Sequence, residues 1–145
     1  MDVMKTLKLG LFALLFLVGP NSLNFANDLP NGLTPLTGEE ISKTFSNVKD
    51  HAQVQDKAKT HATNLWLDDG KFTSTWRNDR SNGIVIGKWY VQEGQRCVII
   101  EAGLPDLTGK PRCGPIYRQG DRYFSVNTDG SIHGIHQLSP LNETE

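Results

Sequence analysis

Five turn-forming pairs recur from residue 69 onward, Asp69-Gly70, Asn82-Gly83, Glu93-Gly94, Gln119-Gly120 and Asp129-Gly130, and they constrain the fold more than any other feature. Each ends in glycine, which enters the left-handed backbone region demanded by tight hairpins at no steric cost. The runs between them are short and rich in β-branched and aromatic residues. Phe72, Ser74 and Trp76 alternate with Lys71, Thr73 and Thr75, and Trp89 and Val91 alternate with Lys88 and Tyr90, so these runs present one buried and one wetter face. Strands are expected near 51–56, 59–67, 71–77, 84–92, 96–101, 114–119, 122–127 and 131–137. Val98 to Ile100 is apolar throughout, flanked by Arg96 and Glu101, and is expected to be covered on both sides. The fold class is therefore mainly β (α+β), an antiparallel β-meander of about eight strands with one N-terminal α-helix packed on it. The pattern leaves closure into a barrel open.

The helix is announced by Thr37 and Glu40, which form a capping box, and by Leu36 and Ile41 at the positions of a hydrophobic staple. Ile41, Phe45 and Val48 then give a single narrow apolar stripe that needs a surface to lie on, and the helix is expected to end near Asn47. One long connection, Ala102 to Arg112, carries Gly103, Pro105, Gly109 and Pro111 and is bracketed by Cys97 and Cys113.

A length of 145 residues accommodates one ordinary domain. Lys5 and Lys8 precede the apolar run Leu9–Val18, which Gly19-Pro20 ends, with Ala26 at the cut. This reads as a signal peptide over 1–26, since the run is about half the roughly 20 residues needed to span a bilayer. Breaker-rich residues 27–35 read as a flexible arm, 36–138 as the β-rich domain and 139–145 as a disordered tail. The expected location is periplasmic or secreted, with no membrane anchor after cleavage. In that oxidising setting the two cysteines are expected to pair as a Cys97–Cys113 disulfide rather than to hold a metal. Fifteen basic against sixteen acidic residues leave a net charge of −1, which disfavours nucleic acid as a partner.

The order of Leu36-Thr37-Gly38-Glu39-Glu40-Ile41, Asp69-Gly70, Gly87-Lys88-Trp89, Gly94 with Cys97, Cys113, Tyr117, Gly120-Asp121 with Tyr123, and Asp129-Gly130 resembles a family of small exported bacterial proteins defined as a domain of unknown function. The resemblance covers residues 36 to 138 and implies a periplasmic or secreted, disulfide-bearing β-meander. It brings no catalytic residues to transfer. This chain departs from the pattern in its longer stretch between the cysteines.

No motif names a reaction. His133 and His136, three apart on a strand, are expected on opposite faces, the wrong geometry for chelation. Asp68-Asp69 beside Gly70 is explained by a turn. No serine lies in a Gly-x-Ser-x-Gly elbow or a Ser-x-x-Lys motif, and no phosphate-binding glycine loop occurs. No catalytic residue, cofactor or metal is therefore assigned. Trp76 and Trp89 sit on the apolar phase of their strands and read as core, whereas Trp66 could equally stack on a ligand. Leu104, Leu107 and Lys110 in the bracketed loop, with Arg112 from the basic group Lys110, Arg112, Arg118 and Arg122, complete the candidate contact residues. The leading expectation is a non-enzymatic exported β-module that binds a small ligand or an envelope or secreted protein. An inhibitor of a secreted enzyme and a hydrolase with a dispersed site are the alternatives.

Overall fold

The computed structural model describes residues 29–142, so the expected signal peptide and residues 143–145 of the expected tail lie outside it. Among the described residues ten antiparallel strands form one sheet curled into a half-barrel, with one α-helix. In chain order they are β1 (Thr34–Pro35), α1 (Gly38–Thr44), β2 (Val48–Val54), β3 (His61–Trp66), β4 (Lys71–Arg77), β5 (Asn82–Gln92), β6 (Gln95–Ala102), β7 (Arg112–Gly114), β8 (Ile116–Gln119), β9 (Arg122–Val126) and β10 (Ile132–Pro140). Across the sheet the order is β1-β8-β9-β10-β2-β3-β4-β5-β6-β7. Eight of these strands are the expected ones; the additional two, β1 and β7, are pieces of two and three residues at the sheet's edges. Pro115 alone separates β7, at one edge, from β8, next to the other edge, so the sheet must curl far enough for a single residue to bridge the gap.

The lead-in is tied down in part. Thr34 and Pro35 pair with Arg118 and Tyr117, and the Gln119 side chain donates to the Asn31 carbonyl at 2.7 Å. At the other end of the domain, β10 stays paired with β2 through Pro140.

Helix α1 begins as expected. Glu40 N–H donates to Thr37 Oγ1 and Thr37 N–H donates to Glu40 Oε2, completing the capping box. It ends at Thr44, three residues before the expected Asn47, because Asn47 takes a left-handed backbone (φ 59) and Val48 already pairs with Trp66 and Pro140. Ile41 and Phe45 are fully buried among Trp66, Phe72, Val85, Trp89, Ile100 and Ile116.

One turn pair is displaced. Asn82-Gly83 opens β5 instead of turning the chain; the turn lies at Asn78–Ser81, where Asn78 Oδ1 accepts the N–H groups of Arg80 and Ser81. Gly83 has a different task, since a Cβ there would sit 3.0 Å from the Trp76 ring that packs over it. Cys97 and Cys113 face each other in the β6–β7 ladder and are joined by the disulfide.

Candidate functional site

Alternation along the strands sends one set of side chains into the curl. On β2 to β4 these are Val48, Asp50, Ala52 and Val54, then Ala62, Asn64 and Trp66, then Phe72, Ser74 and Trp76. Helix α1 closes one end: Phe45 meets Trp66, Tyr123 and His136 edge-on, at ring-centre distances of 5.6, 5.9 and 6.4 Å. The opposite end, where the β2–β3, β4–β5, β6–β7 and β9–β10 connections gather, opens into a cavity of about 660 Å³. A larger depression of about 940 Å³ lies mostly over outward-facing side chains such as His51, Gln53, Thr63 and Ile84, and none of the buried polar residues lines it. Six of the seven buried polar residues, Thr60, Asn64, Ser74, Arg96, Ser125 and His136, line the smaller cavity instead. Buried polar groups are costly unless hydrogen-bonded, so their concentration marks this cavity as the site.

The seventh is Asp50, fully buried on the central strand. Its Oδ2 accepts Asn64 Nδ2–H and Trp66 Nε1–H, both at 2.9 Å, and His136 Nδ1 lies 2.9 and 3.0 Å from Oδ2 and Oδ1. Sheet register makes the cluster, because Asp50 pairs with Asn64 and its strand neighbour Ala52 pairs with His136. Burial pushes the Asp50 carboxyl up, but the His136 ring, the positive charge of Arg96 and the Asn64 hydrogen bond together hold it below the ordinary carboxylate range. Asp50 is thus ionised at neutral pH and can only accept, which assigns the Nδ1 proton to His136. In the neutral ring Nε2 is left as an acceptor, and Ser125 Oγ stands 2.8 Å from it.

Arg96 lies on the facing wall. Its guanidinium is stacked on Phe45 and Trp66, 4.6 and 4.2 Å from the ring centres, and one nitrogen, Nη1, is buried without a hydrogen-bond partner. Burial lowers its pKa to about 10, against the opposing charge of Asp50, so it stays a cation at neutral pH.

His133 and His136 do not face opposite ways. A register shift between Ile132 and Gly134 inserts one extra residue in β10, and both histidines line the cavity. His133 stands at the mouth, where partial desolvation by the protein around it and then the charge of Arg112 hold it below the ordinary imidazole range, opposed by Asp56. Among the described residues no group of three His, Cys, Asp or Glu side chains could hold a metal ion.

The candidate contact residues separate into three environments. Trp66 is core, 2 % exposed, yet also part of the cavity wall. Leu104 lines the cavity and Leu107 packs on the core, because the bracketed loop folds back through a 3-10 turn at Pro105–Leu107 and a Gly109 N–H to Ile100 carbonyl bond of 2.9 Å. Arg112 is exposed and lines the cavity, whereas Lys110 is exposed away from it. The disulfide that brackets the loop is part of the cavity wall: Cys113 lines the cavity, and Cys97 is fully buried between Arg96 and Val98, which line it too. Asp50, Asn64, Ser125 and His136, which no sequence motif marks, form the polar centre.

No family model, curated protein or solved structure matches this chain. The reading of the site therefore rests on its geometry. Among the described residues no helix is long and apolar enough to cross a membrane.

Proposed function

We propose that the protein is an exported β-module, periplasmic or secreted, that binds a small ligand with an apolar body and an acidic group inside the half-barrel. The observation that carries this is an imbalance of committed charge. The carboxylates of the cavity are satisfied from within the protein, Asp50 by three donors and Asp56 by the Thr60 amide and hydroxyl at 2.9 and 2.6 Å. Its arginines are not: among the described residues neither Arg96 nor Arg112 is paired with a carboxylate. An anion entering the cavity meets two guanidinium groups outside any ion pair, Arg96 with its Nη1 lacking a hydrogen-bond partner and balanced only at longer range by Asp50, in surroundings where low dielectric strengthens the attraction. Trp66, Phe72, Trp76, Ile100 and Leu104 supply an apolar wall, and about 660 Å³ is an ordinary size for a small-molecule site. The disulfide supports the location.

Titrating the protein with decanoate and with decanol while following tryptophan fluorescence tests the reading, because Trp66 and Trp76 line the cavity. The acid is expected to bind tenfold or more tightly than the alcohol, and Arg96→Met to abolish the preference. Equal binding of both, or no binding of either, would refute it.

A further inference from the structure

Ser125, His136 and Asp50 are joined in a chain of hydrogen bonds, Oγ to Nε2 at 2.8 Å and Nδ1 to carboxylate at 2.9 Å. That is the connectivity by which a carboxylate orients an imidazole and the imidazole takes a proton from a serine, and it is recognised by geometry, not by sequence position. The register adds direction. Asp50 lies at the level of Asn64, His136 one pair nearer the open end beside Ala52, and Ser125 nearer still, opposite Gly134, which itself pairs with Val54. The hydroxyl is thus the member closest to the mouth and the carboxylate the most deeply buried. Gly134 completes the arrangement: a Cβ there would stand 3.2 Å from His136 Nε2 and 3.3 Å from Ser125 Oγ, so its absence leaves room beside both reacting atoms. Ser125 and His136 also line the cavity into which a ligand would enter.

We infer that Ser125 is a nucleophile and His136 its general base, with Asp50 as positioning residue, and that the cavity hydrolyses small carboxylic esters. Ser125 Oγ attacks the carbonyl carbon and passes its proton to His136 Nε2 as the new C–O bond forms. The bond to the leaving alkoxide breaks and His136 returns that proton to the alkoxide oxygen. Water then attacks the acyl carbon, giving a proton to His136; the bond to Ser125 breaks and its oxygen is reprotonated. The net change is ester plus water to acid plus alcohol. Asp50 stays ionised throughout, and Arg96, close enough to act on Asp50 and His133 through its charge, adds a positive field for the transient oxyanion. The inference rests on the cavity admitting a ligand but not on its preference for acids.

The test is labelling of the folded protein with a fluorophosphonate, in which Ser125 displaces fluoride at phosphorus, read by intact mass and peptide mapping, alongside p-nitrophenyl acetate hydrolysis. The expected result is one adduct per chain on Ser125, none in Ser125→Ala, and labelling at least about 100-fold slower in His136→Gln. Should His136→Gln not fold, Gly134→Ala is measured in its place, since its Cβ would stand 3.2 Å from His136 Nε2 and 3.3 Å from Ser125 Oγ, and labelling is expected to be at least about 10-fold slower. Absence of an adduct, an adduct elsewhere, or labelling at the wild-type rate in the His136 or Gly134 variant would overturn the inference. Decanoate binding that survives without labelling would overturn this inference alone, and labelling without acid preference would overturn the ligand reading alone.

Discussion

Replacing Asp50 by asparagine keeps the shape of the most buried polar residue and removes its charge. The carboxylate accepts from Asn64, Trp66 and His136 and is the counter-charge acting on Arg96. An asparagine amide turns one acceptor oxygen into a donor, so at least one of three buried N–H groups loses its acceptor, and Arg96 becomes an uncompensated buried cation. Removing one partner of a buried charge pair costs about 3–5 kcal/mol. Domains have only about 5–15 kcal/mol in total. With a urea slope near 2 kcal/mol/M, a loss of about 4 kcal/mol lowers the unfolding midpoint by about 2 M. The assay is urea unfolding followed by tryptophan fluorescence and, separately, by far-ultraviolet circular dichroism. Arg96→Met, which leaves an unbranched apolar chain between Phe45 and Trp66, supplies the second arm of a double-mutant cycle. Asp50→Asn with Arg96→Met is expected to cost at least about 1 kcal/mol less than the two single changes added together, because the double variant buries neither charge. A loss under about 1 kcal/mol for Asp50→Asn, or strict additivity in the cycle, would refute the view that these two charges depend on each other.

Three further outcomes are expected. Cys97→Ser with Cys113→Ser should cost about 3 kcal/mol, from a closed loop with a sequence separation of 16, and free thiols in the natively produced protein would contradict the pairing. In the helix, Phe45→Ala should cost about 3–5 kcal/mol and Thr37→Ala about 1 kcal/mol; equal costs would mean that α1 is held by its cap and not by its packing. Acid should unfold the protein in two stages seen in the urea midpoint. His133 (below its ordinary 6.5) and Asp50 (below its ordinary 3.8) bind protons more weakly when folded, so the unfolded chain gains protons first. Stability present above those values is therefore lost as pH falls, with a shallow decline below about 6.5 and a steep one below about 3.8, the latter joined by the turn carboxylates Asp56, Asp69 and Asp129. A midpoint that rises on acidification would have the wrong sign.

The scaffold was legible because its signals are local. Thr37 and Glu40 are three residues apart and cap the helix they announce; Glu93-Gly94 turns the chain where it stands, with φ of 52 and 72. Asn82-Gly83 misleads for a tertiary reason, since Gly83 is small to make room for the Trp76 ring across the ladder while Asn78 supplies the turn through its side chain. The site is the opposite case. Asp50 and His136 are 86 positions apart and meet only because β10 returns to pair with β2, a connection that neither strand records locally. A faint mark does exist: Asp50 stands between Val48 and Ala52 on the inward phase of its strand, and an acid in an apolar phase has to find donors. The alternation rule placed His133 and His136 on opposite faces, and it failed there because one extra residue in β10 resets the phase. Gly134 falls opposite Ser125 and His136 opposite Tyr123, which brings the imidazole within reach of both the hydroxyl and the carboxylate. The bulge is thus what brings His133 into the same cavity as His136. Deleting His133 is expected to close the ladder, with Ile132 and Gly134 still opposite Val126 and Ser125, and to leave both the sheet and the Ser125–His136 contact in place, so that fluorophosphonate labelling of Ser125 persists; loss of labelling in that variant would mean that the bulge does more than place His133.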